Sequence, residues 1–89
     1  MSIVIYTANN CPYCEQAKKF FKRKNVVYKE YDVSNNPEQR QSLIKKSKGL
    51  KTVPQIFIDE LHIGGYDDLK RLEIQGNLQQ LIKNYFIVR

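Results

Sequence analysis

The sequence predicts an α/β fold whose first two strands run parallel. Three observations predict it. A continuous apolar run, Ile3-Val4-Ile5-Tyr6, opens the chain. A helix-like pattern follows it, and a second strand-like run around Val26 to Val33 follows that. Parallel strands need a crossover of about a dozen residues, and a helix of this length supplies one.

Ser2 to Thr7 reads as the first strand, and its unbroken apolar centre fits burial on both faces. Asn9-Asn10 can cap the next helix. That helix is expected from about Pro12 to Lys24, since proline is tolerated in a first turn. Cys14, Ala17 and Phe21 share one of its faces, with Phe20 nearby. Asn25 ends it. Val26 to Val33 reads as the second strand, with Val27, Lys29, Tyr31 and Val33 alternating against Tyr28, Glu30 and Asp32.

Ser34-Asn35-Asn36-Pro37 marks a turn and a helix start. The second helix covers about Pro37 to Lys46, with Arg40, Leu43 and Ile44 along one side. Ser47 to Lys51 is a loop. Gln55 to Ile58 and Leu61 to Ile63 read as two strands around Asp59-Glu60, a hairpin turn without the usual glycine. Gly64-Gly65 breaks the chain before a short helix from Tyr66 to Gln75 carrying Leu69 and Leu72. Gly76-Asn77 breaks that helix. Leu78, Leu81, Ile82 and Tyr85 then keep helical spacing into a last helix, so the expected order is βαβαββαα.

At 89 residues the chain is expected to form one domain over 1–89. No basic and apolar leader is visible at the start, and no apolar run approaches a membrane span. A reducing cytoplasmic location without a membrane partner is the expectation. The formal net charge is +6, with basic clusters at Lys18-Lys19, Lys22-Arg23-Lys24, Lys45-Lys46 and Lys48. These read as solvated helix faces, or as a surface attracting anionic thiols or acidic proteins. No recognition motif accompanies the charge, so no nucleic-acid partner is expected.

The chain has two cysteines, in Cys11-Pro12-Tyr13-Cys14, at a strand-to-helix junction. A ring this small adds little loop-closure stabilisation, so the pair reads as reactive rather than structural. Such a pair in a small protein reads as a thiol–disulfide redox motif. Amides and the dipole at a helix start favour a thiolate, which is the nucleophile. Cys11, nearest the helix start, is the candidate nucleophile. Cys14, one turn inward, is the candidate resolving thiol. Pro12 restricts the backbone, and Tyr13 can lend its ring and hydroxyl to a substrate's edge. The lone histidine, His62, reads as a plain sheet position. Structural zinc takes four ligands, and two cysteines with a remote histidine fall short, so no metal site is expected. A cluster bridging two chains through Cys11, and a thioredoxin-type carrier, remain alternatives.

The element order and three separated segments resemble a glutaredoxin over essentially the whole chain. The segments are Cys11-Pro12-Tyr13-Cys14, Thr52-Val53-Pro54 and Gly64-Gly65-Tyr66-Asp67-Asp68. The match looks closest to the small bacterial dithiol type. The resemblance implies a thioredoxin fold, with a four-stranded mixed sheet flanked by helices. It implies a glutathione-dependent thiol–disulfide oxidoreductase, acting on protein disulfides and glutathione mixed disulfides through Cys11 and Cys14. Glutathione would be the co-substrate, with no tightly bound cofactor. Disulfide-bonded or glutathionylated proteins would be the partners, ribonucleotide reductase among them. A monomer is expected.

The resemblance also implies that Tyr13, Thr52, Val53, Pro54, Tyr66 and Asp67 bind glutathione. A cis Val53–Pro54 bond would turn the Val53 backbone outward, to pair with the cysteinyl part like an added strand. Amides of Tyr66 and Asp67 would take the γ-glutamyl carboxylate, and the Asp67 side chain the ammonium. The plainer reading of Asp67 or Asp68 is a helix cap. There is one departure: many family members carry a lysine three residues before the first cysteine, where this chain has Ala8. Arg40, Lys51 and Lys18 are candidates for the missing charge. The loop from Ser47 to Lys51 also looks slightly long against the family.

Overall fold

The computed structural model describes residues 2–50, 52–76 and 78. Its elements are β1 (Ile3–Thr7), α1 (Pro12–Arg23), β2 (Lys29–Asp32), α2 (Pro37–Lys46), β3 (Gln55–Ile58), β4 (Leu61–Gly64) and α3 (Tyr66–Ile74). The sheet order is β2-β1-β3-β4. β1 runs parallel to β2, with Val4 opposite Lys29, and antiparallel to β3, with Tyr6 opposite Gln55. β3 and β4 form the antiparallel hairpin. The expected last helix on Leu81, Ile82 and Tyr85 lies outside the described residues. Leu78 is described, and it is fully buried.

β1 sits inside the sheet and is buried on both faces, as its apolar run predicts. Ile3 and Ile5 face a cluster with Ala17, Phe20 and Phe21 of α1, Ile56 and Ile58 of β3, and Leu69 of α3. Tyr6 faces the other way, against Val33, Leu43 of α2 and Phe57. The helices therefore cover both faces: α1 and α3 on one, α2 on the other. The Tyr6 hydroxyl stays satisfied through Ser42 Oγ at 3.0 Å.

The helix boundaries follow cap chemistry. Asn36 Oδ1 accepts the Gln39 amide at 3.2 Å, and Pro37 occupies the first turn, where its missing N–H costs nothing. The β2 boundary differs from expectation, because the strand covers Lys29–Asp32 and not Val26 to Val33. Asn25 leaves α1 in the left-handed region at φ 59°, and the Val26 amide still bonds back to the Phe21 carbonyl. Val26 is thus part of the helix exit, while Val27 is 82% exposed. The β3–β4 turn dispenses with glycine because Asp59 takes φ 55°, a region Asp tolerates. Its amide also donates to the Ser2 carbonyl at 2.7 Å. Among the described residues, no helix is long and apolar enough to cross a membrane.

Phe21 is fully buried and meets Phe20 edge-on, with ring centroids 5.6 Å apart. Phe21→Ala is expected to cost about 3–5 kcal/mol, the range for emptying a buried aromatic site. Val27→Ala is expected to stay within about 0.5 kcal/mol. Urea-unfolding midpoints of the two variants check this; similar losses would contradict the burial assigned to each.

Candidate active site

β1 ends at Thr7, and the chain turns through Ala8, Asn9 and Asn10 before α1. The Asn9 amide donates to Ser34 Oγ at 2.7 Å, and Asn10 takes φ 54°. Neither asparagine caps the helix, contrary to expectation. The N-cap is Cys11, extended at φ −118° and ψ 98°, whose Sγ accepts the Cys14 amide at 3.1 Å. The asparagines shape the turn, and this shifts the capping position onto the cysteine. Sulfur thus stands where a serine or aspartate oxygen usually takes an unpaired first-turn amide. Cys11 is half-buried and Cys14 is fully buried. The two form a disulfide, with Cα atoms 5.2 Å apart.

Two further segments meet this helix start. The Val53–Pro54 bond is cis, and the Val53 carbonyl oxygen lies 3.9 Å from Cys11 Sγ. Gly64 takes φ 114°, and a side chain there would collide with Asp68. Gly65 is the N-cap of α3. Asp68 closes that cap: its Oδ2 accepts the Gly65 amide at 2.9 Å, and its Oδ1 accepts from Arg71 at 3.0 Å. Asp67 is exposed in the same first turn. The amides of Tyr66 and Asp67 precede the helix's internal bonding and need partners from outside it. Tyr13 is 61% exposed, and its ring centroid lies 6.3 Å from that of Tyr66. A groove of about 310 Å³ runs between Tyr13, the 52–55 segment and the 65–68 segment. Tyr13, Thr52, Val53, Pro54, Tyr66 and Asp67 all line it, with Cys11 beside its Val53 wall.

Two of the three candidates for the charge missing at Ala8, Lys18 and Arg40, are engaged elsewhere. Lys18 Nζ contacts Glu15 at 2.9 Å and Glu30 at 3.2 Å, and Glu30 also accepts from the Thr7 hydroxyl at 2.6 Å. Arg40 donates to the Val33 carbonyl at 3.0 Å. Lys51 lies outside the described residues. The hydrogen bond that Lys18 donates to Glu15 is the main cause raising the Lys18 ammonium above its ordinary pKa. The same bond is the main cause lowering the Glu15 carboxyl. Among the described residues, the Cys14 amide at the helix end and the Val53 carbonyl oxygen face Cys11 Sγ.

Sequence reasoning missed one feature. Gln55 is 4% exposed, and its amide bridges Thr52 Oγ1 at 3.1 Å and His62 Nε2 at 2.7 Å. A polar residue opening an otherwise apolar strand was the available signal, because a buried amide demands partners. Among the described residues, no group of three His, Cys, Asp or Glu side chains could hold a metal ion.

A mixed four-stranded sheet with helices on both faces, and a Cys-x-x-Cys disulfide at a helix start, define a thioredoxin-fold thiol–disulfide oxidoreductase. The Glutaredoxin family model matches residues 3–63, and the chain belongs to the glutaredoxin family. It is 51% identical over 84 residues to Glutaredoxin 1 of Rickettsia prowazekii, covering 93% of this chain and 88% of that one. The solution structure of a Brucella melitensis glutaredoxin superposes with a TM-score of 0.78 at 43% identity, over 93% of this chain and 89% of the other. A buckwheat glutaredoxin–glutathione complex superposes with a TM-score of 0.80 at 25% identity, over 92% and 76%.

The Lys18–Glu15 pair fixes a pH dependence. A lowered carboxyl stabilises above its ordinary value of 4.5 and loses that contribution as pH falls through the lowered value. A raised lysine stabilises below its ordinary value of 10.5 and loses that contribution as pH climbs through the raised one. The stability gap between wild type and Lys18→Met should therefore stay level through neutral pH and narrow in both acid and base. Urea-unfolding midpoints of both proteins across pH read this gap; widening in either direction contradicts the pairing.

Proposed function

We propose that this oxidoreductase is glutathione-dependent and reduces both protein disulfides and glutathione mixed disulfides. The observation that carries this reading is the position of Cys11 Sγ. It caps α1 and lies beside the Val53 carbonyl, at a groove also lined by Tyr66 and Asp67 of the first turn of α3. A tripeptide with a central cysteine and an amino-acid end matches that sequence of groups. The likeness to the buckwheat glutathione complex supports the same ligand.

In this reading Cys11 is the nucleophile. Its thiolate attacks the glutathione sulfur of a mixed disulfide, and the protein thiolate leaves. A second glutathione thiolate attacks the Cys11–glutathione disulfide, releasing glutathione disulfide and the Cys11 thiolate. With a protein disulfide, Cys11 first forms a mixed disulfide with the substrate. Cys14 then attacks Cys11 Sγ, frees the reduced protein and leaves the Cys11–Cys14 disulfide. Two glutathiones return that disulfide to the dithiol, and glutathione reductase with NADPH restores them. The Cys14 amide favours negative charge on Cys11 both as nucleophile and as leaving group.

The groove residues take binding roles. The Val53 backbone pairs with the cysteinyl unit, flanked by Thr52 and Pro54. The amides of Tyr66 and Asp67 take the γ-glutamyl carboxylate, and the Asp67 side chain takes the ammonium. Tyr13 covers one edge. The proposal extends to a single domain over 1–89, a monomer in the reducing cytoplasm, and ribonucleotide reductase among the protein partners.

Cys11→Ser is expected to lose both activities by about a thousandfold or more, as removing a nucleophile does. Cys14→Ser is expected to lose protein-disulfide reduction while keeping deglutathionylation. An assay coupled to glutathione reductase and NADPH reads both. Substantial activity in Cys11→Ser sinks the mechanism. Reduction by thioredoxin reductase and not by glutathione sinks the glutathione dependence.

A further inference from the structure

The buried amide of Gln55 links the lone histidine to the groove. Gln55 Oε1 lies 2.7 Å from His62 Nε2, and Gln55 Nε2 donates to Thr52 Oγ1 at 3.1 Å. A carboxamide oxygen only accepts, and its nitrogen only donates. With the amide in this orientation, His62 donates from an Nε2-protonated ring, and Thr52 accepts. A threonine hydroxyl has one proton of its own. With the oxygen engaged by Gln55, that proton is left for the groove, where Thr52 is exposed. The His62 ring is held by stacking on buried Phe57, with centroids 4.7 Å apart and planes 19° apart.

We infer that His62 and Gln55 are positioning residues, a directed hydrogen-bond chain that turns the Thr52 hydroxyl into the groove as a donor to a carbonyl or carboxylate oxygen of the bound glutathionyl group. This rests on the reading of the groove as a glutathione site. The chain runs one way, and each bond polarises the next. Reversing it at Gln55 reverses the outcome. In Gln55→Glu the carboxylate accepts from both His62 and the Thr52 hydroxyl, so the proton leaves the groove.

Steady-state kinetics with a glutathionylated peptide test the chain. His62→Phe keeps an aromatic ring against Phe57 and removes the donor. His62→Gln returns an N–H donor near the place of Nε2. His62→Phe and Gln55→Glu are expected to raise KM by about 3- to 10-fold, the worth of one hydrogen bond, with little change in kcat. His62→Gln should recover most of that loss. Thr52→Val should raise KM similarly, and adding His62→Phe to it should cost nothing more. Alkylation of reduced Cys11 by iodoacetamide, which makes no use of Thr52, should keep its rate.

A wild-type KM in His62→Phe overturns the inference, as does a His62→Gln variant no better than His62→Phe. Additive losses in the Thr52→Val, His62→Phe pair overturn it too. If His62→Phe loses cooperative unfolding, Gln55→Glu alone and combined with Thr52→Val decides by the same criteria. Failure of the wild type to turn over the glutathionylated peptide overturns the proposed function and this inference together. Wild-type turnover with unaffected variants overturns this inference alone.

Discussion

A backbone amide aimed at a sulfur atom is the constraint on which the rest of the structure depends. The Cys14 N–H reaches Cys11 Sγ because α1 begins at Pro12. Proline suits that position, since its fixed φ fits the helix and its missing N–H was unpaired in any case. Asn10, in the left-handed region, turns the chain so that Cys11 enters as the cap. Behind it, Ala17, Phe20 and Phe21 anchor the same helix in the core, so the helix end is held against the sheet. Packing thereby fixes a local electrostatic field at one sulfur.

The groove follows from the sheet. β1 and β3 are antiparallel neighbours with Tyr6 opposite Gln55, so the segment after β1 and the segment before β3 share one edge. β4 pairs Gly64 with Ile56, which brings the start of α3 to that edge as well. Three segments distant in sequence thus converge on one groove. Gly64 and Asp68 complete this corner: the glycine takes a conformation that side chains resist, and the aspartate fills the space beside it.

The elements legible in the sequence were those with local causes. α2 was readable because Asn36-Pro37 is both a cap and a first turn. β1 was readable because an unbroken apolar run belongs inside a sheet. The β2 boundary was not, because Val26 is claimed by the exit of α1, a contact that strand alternation does not encode. The cap on α1 was misplaced for a chemical reason: asparagine is a preferred cap and cysteine is not, so Asn9-Asn10 outranked Cys11. Asp68 was weighed as a plain cap, and it is the residue that closes the α3 start. Lys18 sat at the right distance from Cys14 in sequence, but Glu15 and Glu30 take its charge. In the bridge from His62 through Gln55 to Thr52, the polar Gln55 opening an apolar strand was legible, but its His62 partner was not, because the β3–β4 pairing brings the two together.

With Ala8 where many family members carry a lysine, the activation of Cys11 falls, among the described residues, to the helix end. The most direct measurement is the pH dependence of iodoacetamide alkylation in the reduced protein, with each labelled cysteine located by peptide mass. Cys11 is expected to label well ahead of buried Cys14, with a rate midpoint below the roughly 8.5 of a free thiol. Equal labelling of the two cysteines, or a Cys11 midpoint at or above that value, would contradict it.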